Sequence, residues 1–409
     1  MLSVIFVKSS LSQKEVSYIE FFLYLSNLFA FFWSYGFKNS YLSYFPTVDK
    51  ETKKQFLSTL LVLYLGFALV ASVAVYFIGK NQLIFSWDAT EVGFVHLAAI
   101  YLVFNTPTIL TEHSYILFED SKRLIQYALL VLLLPIAVIL IALSTKMSVY
   151  SVAVGFVVIA LIKFFYLLLF PIRLYSGMSV KLSLIKPYLI FSLPLVLQAL
   201  LGNGVEYIDG FLVQRFFPIE TFAVYRYGAR ELPFVVLLVG SVMTALLPRA
   251  VNQLHEAISL AKQETTKLMH VLYPISILLI IISPFLFPLV YDDSFKESAY
   301  LFNIYALIIS SRILIPQLVM FGKHHNKGLA TITFIELILN VSLSLILMNY
   351  WGVRGIAVAS VVAFFVAKLM IMVFNYLAYK IHPSEYIDLK YYSIYNLVLF
   401  ISFYISLQY

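Results

Sequence analysis

Long apolar runs, separated by short polar connections, cover almost the whole of this 409-residue chain. A helix needs about 20 mostly apolar residues to cross the hydrocarbon core of a membrane. Twelve complete segments reach that length, at residues 17–37, 56–79, 93–118, 124–144, 149–175, 187–212, 219–247, 268–291, 298–322, 327–350, 353–379 and 391–408. The segments are apolar on all sides and far longer than strands, so the pattern predicts a polytopic, all-α membrane protein rather than a β-barrel.

The composition supports the same class. Apolar residues make up 62% of the chain and charged residues 12%, with a mean hydropathy of +0.91. Soluble domains are about half apolar and about a quarter charged, so this chain has too little polar surface to cover a water-soluble globule. These figures exclude a soluble enzyme, a nucleic-acid-binding domain and a disordered scaffold. The chain contains no Cys, which excludes disulfides, thiolate metal sites and a cysteine nucleophile.

Basic residues are distributed unevenly between the two sets of alternate connections. Sixteen Lys and Arg residues lie in or beside one set, and seven lie in or beside the other. Loops that carry more Lys and Arg stay on the cytoplasmic side, so the sequence predicts a multi-pass protein of the plasma (inner) membrane with its C-terminus outside. The net charge of +7 then reflects basic cytoplasmic loops, and we expect no nucleic-acid partner.

Two segments depart from the simple pattern of spans. Residues 1–8 are apolar but too short to cross a membrane. We expect Met1 to Val7 to be the end of a first helix whose beginning is absent, with a short interfacial stub as the alternative. Residues 248–267 place apolar side chains at helical spacing among polar ones, which predicts an amphipathic helix on the cytoplasmic surface.

Two stretches of similar pattern indicate an internal repeat. Residues 7–46 and 213–248 each pass a Glu, enter a helix with Tyr and Phe near its start, and reach a Gly and then a Pro before a charged stretch. Both copies have the same predicted orientation, which favours parallel halves related by an axis along the membrane normal. We therefore predict two six-helix lobes related by a pseudo-two-fold axis, plus one extra C-terminal helix, with boundaries at 1–176, 177–380 and 381–409.

Four stretches of the chain resemble the polysaccharide (O-antigen type) flippase family of the multidrug/oligosaccharidyl-lipid/polysaccharide exporter superfamily. The family's seventh and eighth helices resemble KPYLIFSLPLVLQALLGNGVEYIDGFLVQRFFPIETFAVYRYGARELP, and its turn from the ninth to the tenth helix resembles FPLVYDDSFKESAYLFNIYAL. Its eleventh and twelfth helices resemble NVSLSLILMNYWGVRGIAVASVVAFFV, and the end of its second helix resembles WSYGFKNSYLSYFP. The family usually has twelve to fourteen helices, so on this resemblance we expect the chain to lack most of the first helix and to end after the thirteenth.

The resemblance implies a function. Such flippases move an isoprenoid-diphosphate-linked oligosaccharide from the inner to the outer leaflet by alternating access, for the biosynthesis of O-antigen, lipopolysaccharide or exopolysaccharide in the cell envelope. The resemblance also implies two lobes around a central cavity lined mainly by the first, second, seventh and eighth helices. The expected partners are the lipid-linked oligosaccharide, membrane lipids, and a polysaccharide polymerase with its glycosyltransferases.

Five basic residues fall inside the predicted spans, namely Lys163, Arg226, Arg230, Arg312 and Lys368. A cation at the bilayer centre costs roughly 2.5–3.5 kcal/mol on insertion scales, so most of these side chains must face protein or water. We predict that they bind the substrate diphosphate, for which Arg offers bidentate contacts. The alternative is that they form structural ion pairs between helices. Arg226 and Arg230 are four residues apart, on one face of the predicted helix 219–247.

Three carboxylates are candidates for gating or ion coupling. Glu206 and Asp209 are three residues apart near the outer end of the predicted helix 187–212, so they share one face. Because the next helix carries Arg226 and Arg230, the two faces can meet. The carboxylates would pair with the cations when the cavity is empty, or carry a coupling proton or sodium ion. Glu336 could instead neutralise a basic residue near the midplane.

Two rival functions remain open. A multidrug or other small-solute antiporter of the same superfamily is the nearest, although the excess of buried bases favours an anionic substrate. A membrane-embedded polysaccharide polymerase or glycosyltransferase is less favoured, because the outer loops are too short to hold a catalytic domain. We predict no enzyme activity, catalytic residue, cofactor or metal. Glu112 and His113 are adjacent, so they cannot both face one ion on a helix, and an interfacial position is expected for them.

Overall fold

The computed structural model describes residues 11–81, 89–145, 147–175 and 179–408, and within them the chain is helical, without a strand. The all-α prediction is therefore confirmed. Met1 to Val7, predicted to be the end of a first helix, lie outside the described residues. Sixteen helices of six or more residues are numbered in chain order: α1 Gln13–Leu28, α2 Phe31–Tyr44, α3 Lys50–Asn81, α4 Ala89–Asn105, α5 Ile109–Leu117, α6 Ser121–Ser144, α7 Val149–Leu167, α8 Ile185–Phe216, α9 Ile219–Gly228, α10 Pro233–Asn252, α11 Leu254–Val290, α12 Lys296–Ala306, α13 Gln317–Gly322, α14 Asn326–Trp351, α15 Val353–Tyr379 and α16 Leu389–Ser406.

Shorter helical turns connect or extend several of these helices. The 3-10 turns are Phe45–Thr47, Thr106–Thr108, Leu182–Leu184 and Asp293–Phe295. A π-helical turn at Leu168–Ile172 continues α7 into the short α-helical turn Arg173–Tyr175. Two further short α-helical turns are Ile309–Arg312 and Pro383–Tyr386.

Nine described helical segments are long and apolar enough to cross a membrane, and the bent pair α1–α2 brings the number to ten if it counts as one span. The sequence predicts twelve. One of the other two, 298–322, is divided into short pieces. The other, 391–408, forms α16, whose hydropathy is lowered by four Tyr, Lys390 and Asn396. The multi-pass topology is confirmed, with fewer uninterrupted spans than predicted.

The predicted helix 219–247 is broken in the structure. It forms α9 and α10, with residues 229–232 between them. Proline disfavours helical geometry in the residue before it, and Leu232, which precedes Pro233, has ψ of 114°. The break places Arg230 outside the helix that carries Arg226. The shared face predicted for these two arginines is therefore not formed.

The predicted helix 298–322 is interrupted between Ala306 and Gln317, where Pro316 removes a backbone donor. Backbone carbonyls near the interruption find partners on other helices. Asn375 Nδ2 donates to the Pro316 carbonyl at 2.9 Å, and Tyr392 Oη donates to the Ser310 carbonyl at 3.0 Å. Irregular backbone at membrane depth is tolerated where protein groups satisfy it in this way.

The bend of 56° between α1 and α2 lies at residues 29–30. It contains no proline. Trp33 Nε1 donates to the carbonyl of Phe29 at 2.8 Å, while Asn27 Nδ2 donates to the carbonyl of Leu23 at the same distance. The Trp33 side chain thus supplies a hydrogen bond to a carbonyl at the bend, and insertion of a side chain into the helix ladder is a known cause of kinks without proline.

The amphipathic surface helix predicted at 248–267 is not a separate element. From Leu254 onward it is continuous with the following span, and together they form α11, which contains 37 residues. At 1.5 Å per residue this helix is about 55 Å long, whereas the hydrocarbon core is about 30 Å thick. The first turns of α11 therefore extend beyond the membrane, with Ala257, Ile258 and Ala261 buried against the protein.

By internal packing the chain divides into two units, residues 1–207 and 208–409, and the boundary falls within α8. The lobe boundaries predicted at 176 and 380 come from a repeat rather than from packing, and they stay a prediction.

The first unit has an aromatic core. Tyr188 Oη donates to the Phe37 carbonyl at 2.6 Å, and Tyr41 Oη shares a hydrogen bond with Ser114 Oγ at 3.1 Å. The Phe56 ring lies 5.6 Å from Tyr188 and 6.0 Å from Tyr41. Each such aromatic pair contributes about 0.5–1.5 kcal/mol beyond area burial, and the phenol groups find polar partners.

In the core of the second unit, α16 packs against α11. Tyr395 stacks on Tyr273 with ring centroids 5.2 Å apart, and Asn396 Nδ2 donates to Tyr273 Oη at 2.9 Å. At the other end of α16, Asn303 Nδ2 donates to Ser406 Oγ at 3.0 Å. The helix predicted as an extra element therefore packs as an integral part of this unit.

Aspartates in the connections cap the helices that follow them. Asp49 Oδ1 accepts from the Thr52 amide at 2.8 Å at the start of α3, and this bond holds the pKa of Asp49 below its usual range. Asp120 accepts from the Arg123 amide at 3.2 Å and from Tyr175 Oη at 2.9 Å, which likewise lowers its pKa. A carboxylate at a helix N-terminus satisfies free amides and favours the helix dipole.

Close packing of α2 on α8 generates a stability prediction. A Cβ atom on Gly36 would lie 2.4–2.7 Å from Val196, including its backbone nitrogen and Cα. We expect Gly36→Ala to lower the free energy of unfolding by about 1–3 kcal/mol through overpacking. Gly66, inside α3, has no atom within 4 Å of such a Cβ and is the matched control. Thermal unfolding in detergent should show a lower Tm for Gly36→Ala only. Equal Tm values for the two variants would contradict the packing account.

Candidate functional site

Asp209, in α8, is a buried carboxylate surrounded by hydroxyl groups. The residue is 1% exposed. Its Oδ2 accepts hydrogen bonds from Tyr305 at 2.8 Å, from Tyr225 at 3.3 Å and from the hydroxyl of Ser360. Asn340 Nδ2 in turn donates to Ser360 Oγ at 2.9 Å. Helices α8, α9, α12, α14 and α15 thus meet at one carboxylate.

Two oxygen atoms of this cluster are buried without a hydrogen-bond partner, namely Asp209 Oδ1 and Asn340 Oδ1. Buried polar atoms are rarely left unsatisfied, so each exception needs an explanation. Lone pairs of carboxylate and amide oxygens can accept a proton or coordinate a hard cation. The cluster therefore offers oxygen atoms that suit a proton or a monovalent cation, and the coupling role predicted for Asp209 stays a prediction.

Arg312 pairs with Glu231 across the two helix breaks of the second unit. Arg312 Nε donates to Glu231 Oε2 at 2.8 Å, and Nη2 donates to the other carboxylate oxygen. The guanidinium also lies 5.2 Å from the ring of Phe364. Both side chains are largely buried, with 29% and 20% exposed. This bidentate pair corresponds to the structural alternative for Arg312, and its partner Glu231 lies in the segment between α9 and α10.

Lys368 and Glu336 lie near that pair. Lys368 Nζ donates to Gln317 Oε1 at 2.9 Å. Gln317 is the first residue of α13, directly after the interruption that separates α12 from α13. Glu336 interacts electrostatically with Lys368 and Arg312. Two acids and two bases thus balance each other in the spanning part of the second unit. These interactions are compatible with the role of charge balance considered for Glu336, which stays a prediction.

Arg226 and Arg230 differ in exposure. Arg226 is half-buried in the last turns of α9, and Arg230 is exposed in the break that follows. The side chain of Glu206 lies outside the described residues. Asp209, its predicted partner on the same face, bonds to Tyr225 and Tyr305. An arginine that projects from a helix break can reach ligand phosphate or carboxylate groups without distorting a helix.

Lys163 lies in a polar cavity of the first unit. Its ammonium donates to Asn105 Oδ1 at 2.7 Å and interacts electrostatically with Glu112. All three residues line a cavity of about 210 Å³. Asn105 is the last residue of α4, just before the 3-10 turn that contains Pro107. Glu112 is exposed and lies 3.3 Å from His113 Nδ1, and its side chain also lines this cavity.

Sequence reasoning finds the charged residues of these clusters more readily than their neutral partners. Tyr225, Tyr305 and Ser360 bind Asp209 but are common residues in a chain with 30 Tyr. Gln317 directly follows Pro316 at a helix break, and Asn105 lies two residues before Pro107, where α4 passes into a 3-10 turn. A polar side chain within two residues of a proline inside an apolar run is the signal that could have identified them.

Comparison with known proteins shows the family to which the chain belongs. A family model described as "Lipid II flippase MurJ" matches residues 22–408. A solved structure of a lipid II flippase MurJ in an inward closed conformation is similar, with 16% identity, a TM-score of 0.71, and coverage of 99% of this chain and 94% of that chain. No curated protein sequence gives a significant match.

Multidrug transporters share the fold at a similarly low sequence identity. A multidrug resistance MATE family transporter of the MOP superfamily, in an inward-facing conformation, matches with 14% identity, a TM-score of 0.67 and coverage of 92% of each chain. An outward-facing conformation of such a transporter matches with 13% identity and a TM-score of 0.53, covering 92% of this chain and 90% of that chain. At such identities these likenesses show the fold alone.

The Arg312–Glu231 pair generates a prediction by double-mutant cycle. Glu231→Gln leaves a half-buried guanidinium without its carboxylate, so Glu231→Gln and Arg312→Gln should be coupled by at least about 1 kcal/mol in unfolding free energy. The matched control is the Lys267–Glu264 pair, 2.7 Å apart but 70% and 38% exposed, whose coupling should stay below about 0.5 kcal/mol. Denaturant titrations in detergent measure both cycles. Coupling of equal size in the two pairs would contradict a specific internal role for Arg312.

Proposed function

Because the chain belongs to the lipid II flippase MurJ family, we propose that it translocates an isoprenoid-diphosphate-linked saccharide across the inner membrane by alternating access. The observation that carries the proposal is the family match, which spans residues 22–408. The chain is a multi-pass inner-membrane protein of the flippase and transporter type, and its family is not one of catalytic enzymes.

The family description names lipid II, and we propose lipid II as the first substrate to test. The resemblance to O-antigen type flippases implies a different substrate, a lipid-linked oligosaccharide from which surface polysaccharide is made. Both substrates join an isoprenoid diphosphate to a sugar, so one anion-binding site serves either. A polysaccharide polymerase and glycosyltransferases would be partners only in the second case.

We propose that Arg226 and Arg230 bind the substrate diphosphate. Arg230 is exposed in a helix break, and Arg226 lies one turn before it. A guanidinium offers planar, bidentate donors to phosphate oxygens. Lys163, Arg312 and Lys368, also predicted to bind substrate, have internal partners in Asn105, Glu231 and Gln317 respectively. For these three we favour an internal electrostatic role.

We propose that Asp209 carries the coupling ion. Its buried position and hydroxyl contacts do not suit an outer gate that opens and closes on Arg226 or Arg230. Protonation, or binding of a sodium ion by Asp209 Oδ1 and Asn340 Oδ1, would satisfy two unpaired buried oxygens at once. Glu336, the other coupling candidate, interacts with Lys368 and Arg312, which suits charge balance better than ion exchange.

One observation supports the antiporter alternative, namely the fold shared with MATE transporters. Such a protein would export small solutes rather than lipid-linked sugars. Transport of a cationic drug by the purified chain, without any effect on a lipid-linked saccharide, would favour that alternative.

The substrate site can be tested in proteoliposomes loaded with labelled lipid II or with a lipid-linked O-antigen unit. Flipping is measured as accessibility of the label to an external quencher. We expect Arg226→Ala with Arg230→Ala to slow flipping at least about tenfold, because loss of both phosphate contacts should weaken binding by at least about 1.4 kcal/mol in total.

Arg215→Ala is the matched control, because Arg215 is an exposed arginine at the end of α8 that stacks on Phe216. It should flip substrate at the normal rate. Normal flipping by the Arg226/Arg230 double variant, or an equal loss in Arg215→Ala, would contradict the assignment. If the chain flips the lipid-linked O-antigen unit but not lipid II, the O-antigen unit is the substrate.

The coupling site is tested with the same vesicles under an imposed proton or sodium gradient. Asp209→Asn keeps the hydrogen-bonding shape but not the charge, and we expect flipping that no longer responds to either gradient. Glu336→Gln, half-buried in α14, should still respond. The opposite result, with response lost only in Glu336→Gln, would move coupling to Glu336.

A further inference from the structure

The cavity around Lys163 has an unusual balance of donors and acceptors. It lies among α1, α2, α5, α6 and α7 and the 3-10 turn Thr106–Thr108. Among the described residues that line it, Lys163 is the one basic side chain and Glu112 the one acid. The other polar groups come from Asn, Ser, Thr and Tyr residues, so the charge state of the cavity depends on one ammonium and one carboxylate.

The hydroxyl protons of two lining threonines are already used within the helices. Thr106 Oγ1 donates to the Leu102 carbonyl at 2.7 Å, and Thr108 Oγ1 donates to the Asn105 carbonyl at 2.6 Å. A hydroxyl has a single proton. Once that proton is committed to a backbone carbonyl, the oxygen offers only lone pairs to other groups.

A third lining hydroxyl follows the same rule, because Ser34 Oγ donates to the Phe31 carbonyl at 3.4 Å. Asn27 Nδ2 donates one of its two protons to the Leu23 carbonyl at 2.8 Å, and Asn27 Oδ1 is an acceptor. The lining of the cavity is therefore rich in oxygen lone pairs, and the Glu112 carboxylate adds a negative charge to it.

An oxygen-lined cavity with one carboxylate is the environment that a hard cation prefers. The Lys163 ammonium is such a cation, with three donors to distribute among oxygen acceptors. It already donates to Asn105 Oδ1 at 2.7 Å. A free cation at membrane depth would be costly without these partners, and the partners would be costly without a cation.

We propose that Lys163 is a tethered, resident cation of the first unit, which occupies the position that a mobile monovalent cation, sodium first, would otherwise take. The unit is then stable without any ion from solution, and removal of the ammonium converts the cavity into a sodium-binding site. The proposal concerns folding of the first unit and does not depend on the substrate or direction of transport.

Lys163→Met tests the proposal, because methionine has similar length and no charge. The purified full chain is heated in detergent in NaCl or in choline chloride at equal ionic strength. Each sodium effect is measured relative to wild type, so that any sodium bound at Asp209 cancels. We expect Lys163→Met to have a lower Tm in choline and a saturable, sodium-specific rise of at least about 2 °C.

Two controls make the result specific. Lys262→Met removes a half-buried lysine whose ammonium donates to the Ser384 carbonyl at 2.8 Å, and it should show no additional sodium effect. Lys163→Met combined with Glu112→Gln removes the cavity carboxylate too, and the sodium effect should disappear. No additional sodium effect in Lys163→Met, or an equal one in Lys262→Met, would overturn the proposal.

The proposal stays testable if Lys163→Met fails to fold. In that case the yield of folded protein is compared between this variant and the double variant with Glu112→Gln. Recovery of folded protein on loss of the carboxylate supports a cation requirement at this position. Failure of both variants to fold to the same extent would overturn it, because the lysine would then act through packing alone.

Discussion

The cost of an uncompensated charge in a membrane governs the internal organisation of this protein. Insertion of one cation at the bilayer centre costs roughly 2.5–3.5 kcal/mol, and a buried polar atom without a partner is also costly. Three of the described basic residues in the spans have specific partners that compensate for these costs. Arg312 pairs with Glu231, Lys368 with Gln317 and Lys163 with Asn105. Their partners lie at or next to helix breaks, where the chain departs from continuous helix.

Helix breaks and polar clusters therefore depend on each other. A proline in a span frees backbone groups, and the irregular segment beside it provides room for a polar side chain to approach a charge on another helix. Glu231 lies before Pro233, Gln317 after Pro316, and Asn105 before Pro107. In each unit the interruptions that weaken individual helices are also the positions that make buried ionisable groups tolerable.

The sequence predicts the class and most of the spans because these depend on local hydropathy. It also identifies the charged residues that need an explanation, including Asp209 and Glu336. It does not predict the break at residues 229–232, because prolines are tolerated inside membrane helices, and whether Pro233 ends the helix depends on tertiary contacts that a single sequence does not contain. For the same reason the hydroxyl groups around Asp209, which come from three other helices, could not be assigned from patterning. The likeness to O-antigen flippases leads to the right superfamily but not to the family.

The contact of Gly36 with Val196 has a consequence for motion. A Cβ on Gly36 would lie within 2.7 Å of both the side chain and the backbone of Val196, so α2 and the first half of α8 approach each other closely at that point. A slide or roll of α2 would bring a residue larger than glycine to this point, where it would collide with α8. We therefore expect the two helices to move together in a conformational cycle, with larger changes of geometry in segments such as residues 229–232, where the helix is already interrupted.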